Sequence, residues 1–182
     1  LVNNASAISL AGTTEMETKR FDLIHDINVR GTYLVTRHCI PFLKRSANPH
    51  ILTLSPPINL NPLWLGPYIG YTMSKYNMSL MTLGWSEEFR ADGIAANSLW
   101  PVTTIDTAAV RNLLGGNSLA VRSRKPSIVA DSAAFILASP SRTCTGNLFL
   151  DEDVLASHGI TDFTDYAVVP GNELQMDLYV TR

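Results

Sequence analysis

The stretch RADGIAANSLWP (residues 90–101) joins a helix end to a buried strand. Gly93 follows polar residues and is typical of a helix stop. Residues 94–100 are mostly apolar and end at Pro101. An apolar run of this length between glycine and proline predicts a strand that is covered on both faces, as in a parallel sheet.

Segments on either side of this strand repeat the pattern. HILTLS (50–55) and GNLFLD (146–151) are short and apolar and predict two more buried strands. Residues 21–44, 70–90 and 127–138 carry apolar side chains at three- and four-residue steps and predict helices. Alternating strands and helices predict an α/β fold with an open parallel sheet, which binds ligands beyond the carboxyl ends of its strands.

Composition limits the possible functions. The chain has 182 residues, of which 46% are hydrophobic and 16% are charged, with a net charge of −2. This is the composition of one folded domain, and without a basic block we expect no nucleic-acid partner. No apolar run has the length of a membrane span, and the four histidines are scattered, so we expect no membrane and no metal site. Two cysteines, Cys39 and Cys144, favour a reducing, cytoplasmic location.

The motif YTMSK (71–75) places a tyrosine and a lysine one helical turn apart. A nearby ammonium favours the phenolate and lowers the pKa of a tyrosine from about 10. A phenol whose pKa is brought closer to neutrality can move a proton on and off an alcohol or carbonyl oxygen. The same spacing also arises in ordinary helices, where a lysine stem covers a half-buried ring.

Four motifs in this order resemble the short-chain dehydrogenase/reductase (SDR) family, with the hydroxysteroid dehydrogenase-like branch and its bacterial relatives as the nearest match. They are NNAS (3–6), NVRGTY (28–33), LTLS followed by YTMSK (52–75), and NSLWP (97–101). The resemblance implies a Rossmann-type, doubly wound parallel sheet in three αβα layers. It also implies an NAD(P)-dependent oxidoreductase that interconverts a secondary alcohol and a carbonyl compound, with NADP favoured over NAD.

The resemblance also assigns roles to residues. Tyr71 is the general acid/base, and Lys75 lowers its pKa and holds the nicotinamide ribose. Ser55 binds the substrate oxygen, and Asn28 holds a water that links Lys75 to solvent. The cofactor contacts that it implies are Asn4, Ala5, Ser6, Tyr71, Lys75, Pro101, Val102, Thr103 and Thr104.

The chain departs from the family pattern at several positions. Ser6 and Val102 stand where the family usually has glycine. Ser55 lies sixteen residues before Tyr71, a longer gap than is usual in the family. Pro56 is therefore an alternative occupant of the family's serine position. Asn59 or the backbone is then an alternative ligand of the substrate oxygen. A Gly-rich phosphate loop and the first strands and helices of the fold are missing from the sequence. We therefore expect residues 1–151 to be the C-terminal portion of a dehydrogenase domain, and 152–182 an extension on that domain or a neighbouring subunit.

Other features concern substrate and assembly. Trp64, in a proline-rich segment, is a candidate wall for a hydrophobic substrate, and residues 107–125 occupy the place of the family's mobile lid. RSRK (122–125) is interpreted as a solvated face, with contact to a cofactor phosphate as the alternative. The family pairs helices equivalent to 21–44 and 70–90, so we expect a homodimer or homotetramer. The competing hypothesis is a catalytically inactive SDR-like oligomerisation module.

Overall fold

The sheet consists of four parallel strands in the order β1-β2-β3-β4, in a computed structural model that describes residues 1–181. The strands are β1 (Val2–Asn3), β2 (His50–Thr53), β3 (Ala95–Trp100) and β4 (Leu148–Leu150). Every residue of β2 and β3 is buried. This confirms the parallel sheet that the apolar runs predicted.

Seven α-helices connect and cover the strands within the described residues. They are α1 (Thr18–His25), α2 (Thr32–Leu43), α3 (Pro62–Leu65), α4 (Ile69–Glu88), α5 (Gly116–Ala120), α6 (Ser127–Ala138) and α7 (Asp151–Ser157). Two π-helical segments, Asp26–Gly31 and Val110–Leu114, and a 3-10 turn, Thr164–Tyr166, complete the set. The helices predicted over 70–90 and 127–138 are α4 and α6.

The two faces of the sheet are covered by different helices. On one face, Ile51 packs in a cluster with Trp85 of α4, and Ile40 of α2 lies against it. On the other face, Leu52 and Leu99 pack with Ile136 of α6 and Val154 of α7. Because adjacent residues of a strand point to opposite faces, Ile51 and Leu52 place one helix layer on each side. The αβα arrangement is therefore confirmed.

The prediction of a single helix over residues 21–44 is wrong in the middle of that range. α1 and α2 are separated by the π-helical segment Asp26–Gly31, which contains the fully buried Asn28. A π-turn widens the helix locally and occurs frequently at functional sites. The apolar periodicity of the segment continues across this turn, so it gave no sign of the interruption.

Residues 174–181, called here the C-terminal strap, run across the carboxyl end of the sheet. Thr103 pairs with Met176 as an antiparallel bridge, and the Asp177 N–H donates to the Val102 carbonyl at 3.0 Å. The indole N–H of Trp100 donates to the Leu178 carbonyl at 3.0 Å. The strap thereby covers the region where a parallel sheet binds its ligands. Arg182, the last residue of the predicted extension, lies outside the described residues.

Arg124 corrects the solvated-face interpretation of RSRK. Its side chain is buried, forms an ion pair with Glu152, and lies 5.3 Å from the centre of the Phe163 ring. Its backbone N–H donates to the Thr104 carbonyl at 2.9 Å. Arg124 therefore fastens the segment after β3 to α7.

Two features are absent from residues 1–181. No helix there combines the length and apolarity needed to cross a membrane. Within the same range, no group of three or more His, Cys, Asp or Glu side chains is placed to hold a metal ion.

Candidate active site

Tyr71 and Lys75 lie in the first turns of α4, directly beyond the carboxyl end of the sheet. Both side chains are almost fully buried, with 4% of Tyr71 and 2% of Lys75 exposed. Tyr71 packs in a cluster with Trp100 and Val102, and the Lys75 ammonium lies 5.1 Å from the centre of the Trp100 ring. The two side chains thus share one environment, bounded by Trp100.

The Lys75 ammonium connects the ends of the first two strands. Its nitrogen donates to the Leu54 carbonyl at 2.8 Å, just after β2, and to the Ser6 hydroxyl at 3.2 Å, just after β1. A third, weaker contact reaches the Met78 sulfur at 3.8 Å. These acceptors fix the position of a buried cation that has no ion-pair partner within 4 Å in the described part of the chain.

Burial changes the protonation equilibria of this pair. It lowers the pKa of Lys75 to about 7, an effect that the negative charge of Asp177 opposes. Burial also raises the pKa of Tyr71 above its ordinary value, and the charges of Tyr179 and Asp177 act in the same direction. The lowered tyrosine pKa expected from the sequence is therefore wrong for this structure, because burial disfavours the charged phenolate and no opposing cation lowers the pKa of Tyr71 within residues 1–181.

Asn28 uses its whole amide group in hydrogen bonds. Its Nδ2 donates to the Ala7 carbonyl at 2.9 Å and to the Ser74 hydroxyl at 3.0 Å. Its Oδ1 accepts from the Ala7 N–H at 2.8 Å and from the Ser6 hydroxyl at 3.0 Å. An amide has two donor and two acceptor positions, so these four bonds use the side chain fully, and the predicted water on Asn28 stays a prediction for its backbone groups.

The hydroxyls of two predicted site residues are buried without a hydrogen-bond partner among residues 1–181. They are Oγ of Ser55, beyond β2, and Oγ1 of Thr103, beyond β3. A buried hydroxyl without a partner is unfavourable, and such groups in native structures call for an explanation. The alternative ligand Asn59 is engaged elsewhere: its backbone carbonyl accepts from the Tyr76 hydroxyl at 2.7 Å, and its Oδ1 accepts from the Asn61 N–H at 3.0 Å.

The other predicted cofactor contacts lie on two segments at this edge. Asn4, Ala5 and Ser6 follow β1 and are exposed. Val102 follows β3 and is held by the Asp151 carboxylate, which accepts its N–H at 2.9 Å. Thr104 is held through its hydroxyl, 2.8 Å from that of Ser123. Hydrogen bonds link Ser6, Asn28 and Lys75 directly, and no hydrogen bond in the described chain joins Ser55 or Thr103 to Tyr71.

The strap adds residues that sequence reasoning missed. Tyr179 is 2% exposed, and its hydroxyl lies 3.1 Å from the Thr72 hydroxyl of α4. Its ring lies 5.3 to 6.1 Å from the rings of Tyr76, Trp64 and Trp100. The pKa of Asp177 is raised to about 7, chiefly by burial. No local pattern marks these residues, because their surroundings depend on the return of the chain across the sheet.

Comparison with known proteins gave consistent matches. A family model described as Enoyl-(Acyl carrier protein) reductase matches residues 1–151. The hydroxysteroid dehydrogenase-like protein 2 of Rattus norvegicus is 51% identical over 180 residues, which are 99% of this chain and 34% of that protein. This chain therefore spans about a third of the length of that relative.

Two solved structures share both sequence and fold. A short-chain dehydrogenase from Mycobacterium thermoresistibile is 56% identical with a TM-score of 0.91, over 99% of this chain and 64% of that one. A putative dehydrogenase from Xanthomonas campestris is 45% identical with a TM-score of 0.94, over 100% of this chain and 66% of that one.

Proposed function

Because the chain belongs to the short-chain dehydrogenase/reductase family, we propose that it is an NAD(P)-dependent oxidoreductase. Its reaction is reversible hydride transfer between the nicotinamide cofactor and a secondary alcohol or carbonyl compound. The observation that carries this proposal is the position of Tyr71 and Lys75. They lie one helical turn apart at the ligand-binding edge of the sheet, with the Lys75 ammonium bonded to groups after two neighbouring strands.

The described residues fit a nicotinamide cofactor. Exposed Asn4, Ala5 and Ser6 line one side of the edge, and the buried Thr103 hydroxyl lacks a partner within residues 1–181. We assign the cofactor contacts to these residues and to Tyr71, Lys75, Pro101, Val102 and Thr104. The nicotinamide ring, when bound, accepts or supplies the hydride. NADP is the favoured form, and an NADP-bound ketoreductase, LanV, shares this fold at 21% identity.

In this proposal the protein supplies proton transfer and substrate orientation. Tyr71 takes the hydroxyl proton of the alcohol or returns it to the carbonyl oxygen. Lys75 brings a positive charge to this edge and favours the phenolate, and Ser55 donates its free hydroxyl to the substrate oxygen. Tyr71 is protonated in the structure, since burial raises its pKa. In this proposal, bound cofactor and substrate change the surroundings of the phenol and bring its pKa into the active range.

A hydrophobic substrate fits the side chains around Tyr71. Partly buried Ile58, Trp64 and Leu65 pack against the cluster that contains Tyr71 and Tyr179. The indole N–H of Trp64 is buried and has no acceptor among the described residues. The segment 107–125, which stands where the family carries its mobile lid, also bears exposed leucines, with Leu113 70% exposed. These surfaces favour an apolar alcohol or carbonyl compound over a highly charged one.

We also propose a cytoplasmic homodimer or homotetramer. Large apolar side chains are exposed on the helices that the family pairs between subunits, including Phe42 of α2 at 65% and Leu80 of α4 at 55%. Exposed apolar groups of this size on neighbouring helices are typical of protein interfaces. Residues 152–182 belong, in this proposal, to the same folded unit, with the strap closing the active site.

Titration of the native protein with NADPH and NADH tests the proposal. Nicotinamide fluorescence should show saturable binding, tighter for NADPH, and hydride transfer should follow when secondary alcohols or ketones are added. Size-exclusion chromatography in the same samples reports the oligomer. A folded oligomer that binds neither cofactor would contradict the proposal and favour the inactive oligomerisation module.

A further inference from the structure

The C-terminal strap fixes Asp177 beside the segment that follows β3. The Asp177 N–H donates to the Val102 carbonyl at 3.0 Å, and the preceding strap residue, Met176, pairs with Thr103 as an antiparallel bridge. Val102 is one of the cofactor contacts assigned above, and it packs in the same cluster as Tyr71. The strap therefore places an acidic residue where the proposed hydride and proton transfers occur.

Only one oxygen of the Asp177 carboxylate is used within the described chain. Its Oδ1 accepts the Leu178 N–H at 2.7 Å, a bond inside the strap that fixes the direction of the side chain. Its Oδ2 forms no hydrogen bond, and neither oxygen lies within 4 Å of a cationic nitrogen, in residues 1–181. The charge of Asp177 nevertheless acts on Lys75 and Tyr71. The carboxylate thus lies near the reaction centre with one oxygen available to a ligand.

Carboxylates outnumber cations at this end of the sheet. A second carboxylate, Asp151, acts on Asp177 through its charge, is fully buried, and has an Oδ2 without a hydrogen-bond partner among residues 1–181. The other charged groups that act on these two carboxylates are Lys75 and the ion pair of Arg124 with Glu152. Because the ion pair cancels its own charges, Lys75 faces two carboxylates. The uncompensated negative charge favours a ligand that carries a positive charge.

A buried hydroxyl on the same segment indicates that this ligand also has polar groups. Thr103 is 3% exposed, and its Oγ1 has no hydrogen-bond partner among residues 1–181. Such a hydroxyl is unfavourable unless a bound group completes its hydrogen bonds. The nicotinamide head of an oxidised cofactor combines a polar carboxamide with a positively charged ring. It therefore meets both the orphan hydroxyl and the excess of negative charge.

We propose that Asp177 is a selectivity residue that favours the oxidised form of the nicotinamide cofactor over the reduced form, which rests on the oxidoreductase function proposed above. The two forms differ by one hydride, and the nicotinamide ring is positively charged in the oxidised form and neutral in the reduced form. A nearby carboxylate attracts the charged ring and has little effect on the neutral one. Since the oxidised form accepts the hydride, Asp177 favours oxidation of the alcohol over reduction of the carbonyl compound.

A purely supporting role for Asp177 makes the opposite prediction. If its carboxylate served only to keep Lys75 charged, its loss would make the site less positive. The oxidised form would then bind relatively more tightly, because the ring would meet less repulsion from the ammonium. The sign of the change in cofactor preference therefore separates the two roles.

Three variants isolate the charge of Asp177. Asp177→Asn removes the charge and keeps both the size of the side chain and an oxygen that can accept the Leu178 N–H. Asp177→Glu keeps the charge. The matched control is Glu173→Gln, which removes an exposed carboxylate just before the strap, where solvent screens its charge. Thermal unfolding of each native-length variant confirms that it is folded.

Calorimetric titration with NADP+ and NADPH, and with NAD+ and NADH, measures the preference as the ratio of the oxidised-form Kd to the reduced-form Kd. The measurements are made at pH 8, where Asp177 is ionised because its pKa is about 7. We expect Asp177→Asn to raise this ratio about tenfold, with the Kd of the reduced form within about twofold of wild type. Asp177→Glu should stay within about threefold of the wild-type ratio. Glu173→Gln should match wild type.

A second measurement uses the wild-type protein alone. The cation 1-methylnicotinamide should compete with NADPH at a lower concentration than its neutral analogue nicotinamide does, because only the cation meets the charge of Asp177. Equal or reversed potency of these two probes would overturn the selectivity role, as would a folded Asp177→Asn variant whose Kd ratio is unchanged or lower. A wild-type protein that binds neither form of either cofactor would instead overturn the proposed function and the selectivity role together.

Discussion

Replacement of Lys75 by methionine should stabilise the cofactor-free protein most at neutral and lower pH. Burial lowers the pKa of Lys75 from an ordinary value of 10.5 to about 7. At 1.36 kcal/mol per pKa unit, keeping this ammonium in the fold costs about 5 kcal/mol at pH 6, where lysine is charged in both the folded and unfolded states. Methionine fills a similar volume and carries no charge, so Lys75→Met removes this cost.

The sign of the pH dependence follows from proton binding. Between pH 7 and pH 10.5 the unfolded chain binds more protons at Lys75 than the folded protein does, so wild-type stability rises with pH. The advantage of Lys75→Met should therefore shrink by about 3 kcal/mol between pH 6 and pH 9.5. Asp177, whose pKa is raised to about 7, loses an attractive cation in the variant, which acts in the same direction.

Urea unfolding at several pH values measures this difference. The control is Lys19→Met, which removes a cation whose side chain is 85% exposed and should leave the pH dependence of stability unchanged. A stability difference between Lys75→Met and wild type that is the same at pH 6 and pH 9.5 would show that Lys75 carries no lowered pKa in the fold. A Lys75→Met variant that is less stable than wild type by the same amount at every pH would equally contradict a lowered Lys75 pKa.

Two further predictions concern other side chains. Ser55→Ala should leave the free energy of unfolding unchanged or raise it by up to about 1 kcal/mol, because it removes a buried hydroxyl that has no partner in residues 1–181. Ser55→Ala should also lower kcat/KM about tenfold or more. The control is Ser98→Ala, at an equally buried serine without a partner in residues 1–181, which should change stability in the same way and leave kcat/KM intact. Equal kcat/KM values for both variants would exclude Ser55 as a substrate ligand. Glu152→Gln should destabilise the protein by about 3 kcal/mol in urea, because it leaves the buried Arg124 cation without its partner. The control is Glu87→Gln in the exposed pair Arg90–Glu87, which should leave the free energy of unfolding unchanged within error. Equal small losses of stability at both sites would contradict the assigned role of Arg124.

Elements that depend on local pattern were predictable from the sequence. The buried strands at 50–53 and 95–100 follow from short apolar runs between breaking residues, and α4 follows from apolar periodicity ending at Gly93. Gly93 has a φ of +69°, the left-handed conformation that glycine adopts most readily. The placement of Tyr71 and Lys75 on one helix follows from the same periodicity.

Features that depend on distant contacts were not predictable. The strap reaches the site through pairs such as Thr103 with Met176, which no local signal in residues 152–182 indicates. The direction of the Tyr71 pKa shift depends on burial by Tyr179 and its neighbours, so the Tyr–Lys spacing alone gave the wrong sign. Ser6 was noted as a departure from the family pattern, but its contact with Lys75 depends on how α4 packs across the strand ends.

The most direct measurement is the turnover of Tyr71→Phe beside wild type, with NADPH or NADH binding measured in both. Phenylalanine keeps the ring that packs against Trp100 and Val102 and removes only the hydroxyl, for which no hydrogen bond exists within residues 1–181. We expect cofactor affinity within about twofold of wild type and a loss of turnover of at least about a hundredfold. Turnover equal to that of wild type would contradict the acid/base role of Tyr71.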